Sequence, residues 1–361
     1  PIIPDLLIDG AAYEHKPDAK LLPPNNLAIE RDLRVVRSEL VRRYTIANQL
    51  NPTIVDPPDA WIGLIASGFT FHELRHALHA IGLRTLDDIE KAGIRLLHLQ
   101  LPIPFDPANI RNFARGLDEI IVIEEKNPTA EWLVKDALYG SINQPRVLGK
   151  SYPDGRSLMP SHGILDANTM VNGIFDRLSL RIADRLVAPN PKSNRRELIP
   201  LSTARSPYFC SGCPHNSSTK VPEDSLIGAG IGCHTMVLLM DEEQVGNIAG
   251  VTAMGNEGMQ WIGMEPFVKR NHFIQNIGDG TYFHSGQLAI ASAISANSNI
   301  TFKLLYNGTI AMTGGQDPKG GLEVADITKV MVAQGVKEII ITTEDVRKYR
   351  RLKLPNNVRV W

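Results

Sequence analysis

The stretch from His272 to Asn307 constrains this chain more than any other. A strand-like run, His272-Phe273-Ile274-Gln275-Asn276-Ile277, leads into Gly278-Asp279-Gly280. A helical stretch from Gly286 to Asn297 follows, and a second strand, Ile300 to Tyr306, delivers Asn307. Two strands joined by a helix run parallel with a right-handed crossover, and a parallel sheet needs both faces covered. Asp279 and Asn307 are then expected at the C-terminal ends of two strands, where open α/β sheets bind ligands.

That placement suggests a chemistry. Magnesium takes about six oxygens in a near-octahedral shell. Asp279 offers a carboxylate, Asn307 a side-chain carbonyl, and the backbone carbonyl of Thr309 a third protein ligand. Two diphosphate oxygens and a water would complete the shell, and Gly278 and Gly280 let a backbone come close. The bland alternative is an ordinary Asp-Gly turn with an unrelated asparagine.

Other strands fit the same class. Trp61–Ala66, Ile94–Leu99 and Glu119–Ile123 are short, apolar and alternate with helical stretches over Phe71–Ile81, Pro107–Leu117 and Thr129–Leu138. We therefore expect an α/β chain with two doubly wound parallel-sheet domains. The expected organisation is an irregular segment and helix over 1–58, an α/β domain over 59–150, a helix and linker over 151–207, and a second α/β domain over 208–361. In the first segment a helix is expected from Leu27 to Gln49, its stripe Leu33, Val36, Leu40 and Tyr44 packing on a neighbouring domain. Glu124-Glu125 at a strand end reads as a solvated pair. A net charge of −1 gives no case for nucleic acid or an anionic membrane. No apolar run approaches the ~18 residues of a membrane helix, and no signal-peptide pattern is seen. The start, Pro1-Ile2-Ile3-Pro4, reads as part of a larger polypeptide.

The 3 cysteines are clustered: Cys210-Ser211-Gly212-Cys213-Pro214-His215, then Cys233-His234. Soft thiolates at this spacing favour an iron–sulfur cluster or zinc, in a reducing compartment. A cubane cluster needs four ligands, one more than the chain's cysteines supply. A zinc site would close with His215 or His234, and a third reading leaves the cysteines as small packed groups without metal.

Gly278-Asp279-Gly280 followed by Asn307 resembles the thiamine diphosphate binding motif. Taken together with Tyr208–Asn216, Gly230-Ile231-Gly232-Cys233-His234, Met254-Gly255-Asn256-Glu257-Gly258, Asn276–Gly286, Tyr306-Asn307 and Ala311–Gln316, it resembles the indolepyruvate:ferredoxin oxidoreductase family of 2-oxoacid:ferredoxin oxidoreductases, as an internal segment of the long fused bacterial form. The resemblance is specific over about 208–345 and looser over 60–150, which is similar to a transketolase C-terminal-like domain. It implies that residues 208–361 form a diphosphate-binding domain, with Gly278, Asp279, Gly280, Asn307 and Thr309 holding thiamine diphosphate and magnesium. Met254 and Gly255 would contact its aminopyrimidine ring. Cys210, Cys213 and Cys233 would give three ligands of a [4Fe-4S] cluster, the fourth lying outside this chain. His215, His234 and His284 would be polar or proton-transferring groups near the substrate.

The resemblance further implies oxidative decarboxylation of a 2-oxoacid such as an aryl pyruvate to an acyl-coenzyme A, with ferredoxin taking the electrons, in a cytoplasmic homodimer. The activating glutamate would come from a pyrimidine-binding domain, so the isolated chain would be inactive without that domain; gamma-type domains would also belong to the enzyme. Two other readings stand beside this one: a non-oxidative thiamine diphosphate decarboxylase or synthase, and a zinc-bearing scaffold module.

Overall fold

The computed structural model describes residues 1–8, 10–189 and 207–361. The chain divides into two compact units, Pro1–Ile199 and Pro200–Trp361.

The first unit is built on a five-stranded sheet of β1 (Thr53–Val55), β2 (Ile62–Ser67), β3 (Ile94–Leu99), β4 (Glu119–Ile123) and β5 (Arg146–Leu148), in the spatial order β1-β3-β2-β4-β5. All neighbours are parallel except the edge pair β1 and β3. Helices α1 (Gly68–Ala80), α2 (Pro107–Phe113) and α3 (Thr129–Leu138) make the crossovers. The central strands are apolar throughout because both of their faces are covered: Ile62, Leu64, Ile65, Ile120 and Ile121 are fully buried. At Gly63 the strand is approached closely by α2 and the residues after it. A Cβ there would lie 2.6 Å from Phe113 and 2.7 Å from Leu117.

The helix expected within 151–207 forms, and the residues that precede it join the first unit's core. Leu158, Met159 and Leu165 enter the first unit's core, and α4 (Ala167–Ile182) adds Met170, Ile174, Leu178 and Ile182. Carboxylates hold this segment in place. Glu125 accepts the Leu165 amide at 3.2 Å and Glu73 the Ala167 amide at 2.8 Å. Glu124 receives the Ala130 and Glu131 amides at the start of α3, so it staples backbone, while Glu125 accepts its amide and remains exposed to solvent as expected. The remainder of the expected linker, 190–206, lies outside the described residues.

The N-terminal helix comprises Asn25–Arg31, a π-helical stretch Asp32–Arg37, and Ser38–Ala47. Of its expected packing stripe only Val36 is buried, while Leu33 is 50% exposed. No helix among the described residues is long and apolar enough to cross a membrane.

The second unit carries the short helix α5 (His215–Ser218) and an all-parallel sheet of β6 (Leu226–Ala229), β7 (Asn247–Val251), β8 (Phe273–Gly278) and β9 (Ile300–Leu305), in the order β9-β8-β6-β7. β8 and β9 pair in continuous register from Phe273↔Ile300 to Gly278↔Leu305. The crossover between them is α6 (Gln287–Ser295), preceded by the helical turns Asp279–Thr281 and Tyr282–Gly286. Ile277, Tyr282, Ile290, Ile327 and Met331 pack in one cluster and Ile227, Val237, Val245 and Ile274 in another. β10 (Ile339–Ile341) pairs only with β11 (Val358–Val360), as a separate two-stranded parallel sheet.

Arg177 on α4 makes a two-pronged ion pair with Glu119 of β4, at 2.8 and 2.6 Å, and Glu119 is only 6% exposed. Arg177→Ala leaves that carboxylate buried and unpaired. It should destabilise the first unit by about 3–5 kcal/mol in urea unfolding. A loss below ~1 kcal/mol would show that the pair does not anchor α4.

Candidate functional site

Asp279 begins the helical turn that follows β8 and is 3% exposed. Its Oδ1 accepts the Gly280 amide at 2.7 Å. Its Oδ2 accepts two amides from the loop after β9, Asn307 at 2.9 Å and Gly308 at 2.7 Å. One carboxylate thus ties the ends of two adjacent parallel strands together. Asn307 turns its Oδ1 onto the Thr309 amide at 2.9 Å, and the loop closes through Ile310 N–H to the Gln316 carbonyl at 2.8 Å. Gly308 has φ +71°, a left-handed conformation that glycine adopts without strain.

This arrangement tests the donor set. An ionised carboxylate offers about four acceptor positions, and three on Asp279 are taken. One lone pair of the Asn307 carbonyl is used, leaving one. Asp279 and Asn307 each therefore keep an acceptor position for a cation at the strand ends. The helical stretch from Asp279 to Ser295 points its N-terminus at the same crest, where the backbone dipole favours an anion. A magnesium diphosphate fits this chemistry.

The histidines differ in setting. His234 is 1% exposed, and burial, with a smaller push from His215, holds its imidazole down at about 4. Its ring lies 3.5 Å from the place a Cβ on Gly278 would take. His215, on α5, is also buried and faces Ser218 Oγ at 3.2 Å. Burial lowers its pKa, partly offset by the charge of Asp279. His284 is exposed and sits 2.7 Å from Ser285 Oγ. The structure thus places His215 and His234 beneath the crest and His284 at its margin.

Met254 is 39% exposed, and Gly255 has φ +95° with its Cβ position 2.7 Å from Ser285 Oγ. The 254–258 turn therefore abuts the helical segment that follows Asp279. All three cysteines are free thiols. Cys210 and Cys213 share one tight turn, closed by Cys213 N–H to the Cys210 carbonyl at 3.0 Å. Burial pushes the Cys233 thiol up, and Cys213, Cys210 and Asp279 add to the effect through their charges. Among the described residues no group of three or more His, Cys, Asp and Glu side chains is arranged to hold a metal ion. A zinc set closed by His215 or His234 is therefore not formed there.

Two residues escaped the sequence reading. Glu257 is fully buried, and burial raises its pKa. The only hint in sequence is an acidic side chain between two glycines, Gly255 and Gly258. Lys303 of β9 donates to the carbonyls of Ser218 at 2.9 Å and Lys220 at 2.6 Å, tethering the residues after α5 to the sheet.

The low pKa of His234 has a sign. Its folded value, about 4, lies below the unfolded 6.5, so the unfolded chain binds more protons between them. Stability tied to neutral His234 is fully present above pH 6.5 and is lost as pH falls towards 4. In cofactor-free protein, the acid-side loss of stability between those limits should be shallower in His234→Gln than in wild type. Superimposable pH–stability curves would contradict this.

The comparisons with known proteins divide along the same line. Residues 53–186 match the indolepyruvate oxidoreductase domain, and residues 230–352 match the C-terminal TPP binding domain of thiamine pyrophosphate enzymes. Indolepyruvate oxidoreductase subunit IorA of Archaeoglobus fulgidus is 24% identical, over 88% of this chain and 48% of its own length. The subunit of the same name from Thermococcus kodakarensis is 26% identical, over 80% and 47%, and that of Methanothermobacter marburgensis is 25% identical, over 88% and 50%. The chain spans about half the length of these curated relatives. Among solved structures, a 2-oxoglutarate:ferredoxin oxidoreductase from Magnetococcus marinus aligns at 15% identity over 44% of this chain and 24% of its own, with a TM-score of 0.29, too loose a superposition to carry weight. Both of its domains are thus matched, and the chain is similar to indolepyruvate oxidoreductases across most of its length.

Proposed function

We propose that this chain forms the diphosphate-binding part of a thiamine diphosphate-dependent 2-oxoacid oxidoreductase acting on an aryl pyruvate. The observation that carries the reading is the Asp279 carboxylate, buried at the end of β8 and bonded to the Asn307 and Gly308 amides. In this reading Asp279, Asn307 and the Thr309 carbonyl hold magnesium. The N-terminus at Gly278-Asp279-Gly280 receives the diphosphate, and the Met254–Gly255 turn lies against the aminopyrimidine ring. When bound, thiamine diphosphate supplies the electron sink for decarboxylation of the 2-oxoacid.

The remaining roles follow from setting. His215 and His234, pushed towards the neutral imidazole by burial, offer hydrogen-bonding nitrogens beneath the crest, while the exposed His284 stands as a polar group at its margin. Cys210, Cys213 and Cys233 give three ligands of a [4Fe-4S] cluster whose fourth comes from outside the chain. Electrons leave to ferredoxin and the acyl group to coenzyme A. A pyrimidine-binding domain and gamma-type domains of the same enzyme complete a cytoplasmic homodimer. The cysteine count, one short of a cubane's four, keeps a non-oxidative decarboxylase or synthase as a second reading. Cys210→Ser with undiminished turnover would favour that second reading.

Asp279→Asn separates fold from cofactor. Its amide oxygen still accepts the Asn307 and Gly308 amides, at the loss of the Gly280 bond, but its charge is gone. In the full-length protein its thiamine diphosphate affinity should fall at least ~10-fold, about 1.4 kcal/mol. Asp279→Ala should abolish binding. Wild-type affinity in both variants would remove the site.

A further inference from the structure

Glu257 uses only half of its carboxyl group. Oε2 accepts the Gly255 amide at 2.8 Å, while Oε1 is buried without a partner. Across from it, Nε2 of His234 is also buried without a partner. Both atoms line the same glycine: a Cβ on Gly230 would lie 3.0 Å from His234 Nε2 and 3.2 Å from Glu257 Oε1. Two unpaired polar atoms, on residues 0% and 1% exposed, are rare without a reason.

We propose that Glu257 is a positioning residue whose Oε1 bonds to His234 Nε2 and so joins the Met254–Gly258 turn to the Cys233–His234 loop as one body. Both atoms lie close to one point, the Cβ position of Gly230, and the terminal torsions of both side chains are broad. The chemistry of the pair suits it. Because Oε2 faces an amide donor, the carboxyl proton belongs on Oε1, and burial favours that protonated form. A carboxyl O–H then faces an imidazole nitrogen, donor to acceptor. The glycine is part of the device, since a Cβ at Gly230 would crowd both groups.

The consequence is mechanical. The turn expected against the aminopyrimidine ring and the loop expected at the cluster could not shift independently. That functional meaning rests on the cofactor reading above, whereas the coupling itself does not.

Hydrogen–deuterium exchange on the full-length protein, purified without cofactor, tests the coupling. Glu257→Ala should speed exchange about tenfold in residues 230–235 and 254–258 together. Glu257→Gln retains an amide N–H for His234 and a carbonyl for Gly255, and should restore both segments. His234→Ala should loosen 254–258 from the far side. Acceleration confined to 254–258 in Glu257→Ala would overturn the proposal. Should Glu257→Ala unfold the unit, seen as lost protection over Phe273–Gly278, His234→Ala decides alone, and unchanged exchange at 254–258 overturns it. Failure of thiamine diphosphate to bind would remove the proposed function and leave this coupling standing.

Discussion

The candidate site depends on one buried carboxylate accepting three backbone N–H groups. Asp279 lies at the end of β8, yet two of its three donors belong to the loop after β9. Without those bonds the Asn307 and Gly308 amides would lose their acceptor, and the loop that presents Asn307 would have no fixed position. Charge-assisted bonds of this kind are worth about 1.5–3 kcal/mol each. The register of β8 against β9 brings Gly278 opposite Leu305, so the carboxylate sits within reach of the loop that follows. The sheet sets the spacing and the carboxylate fixes the crest.

Around that anchor burial shifts the polar groups towards their uncharged forms. His234 and His215 are pushed towards the neutral imidazole and Glu257 towards the protonated acid. Such a crest suits the proposed anionic ligand, which a backbone dipole and a bound cation would attract. The first unit uses acidic groups differently. Glu73, Glu124 and Glu125 each accept backbone amides at or near the sheet's C-terminal edge, and Thr70 Oγ1 donates to the carbonyls of Ser67 and Ile123. Its strand ends are closed by the chain itself.

Much of this was legible in the sequence, for physical reasons. The run Phe273–Ile277 is buried at every position, so it had to read as uninterrupted strand, and Gly278-Asp279-Gly280 marked where it ends. Asp279 and Asn307 could be paired because a crossover of fixed direction brings them to one edge. Glu257 could not be found in this way, since a carboxyl is buried by what surrounds it and no local pattern records that. Residues 151–166, rich in Pro, Gly and Ser, read as connector; their place in the first core depends on bonds to Glu73 and Glu125, far away in sequence. The period of Met170, Ile174, Leu178 and Ile182 agrees with the helix expected within 151–207. The cysteine spacing marked the tight turn shared by Cys210 and Cys213 but did not establish a metal's coordination.

The central claim is that the Asp279 crest holds a diphosphate through a divalent cation. Equilibrium binding of thiamine diphosphate to the full-length protein, with magnesium and then in excess chelator, tests it most directly. The account predicts one saturable site that needs the cation and that thiamine, lacking the diphosphate, does not compete for. Binding that persists undiminished in chelator, or that thiamine displaces equally well, would contradict it.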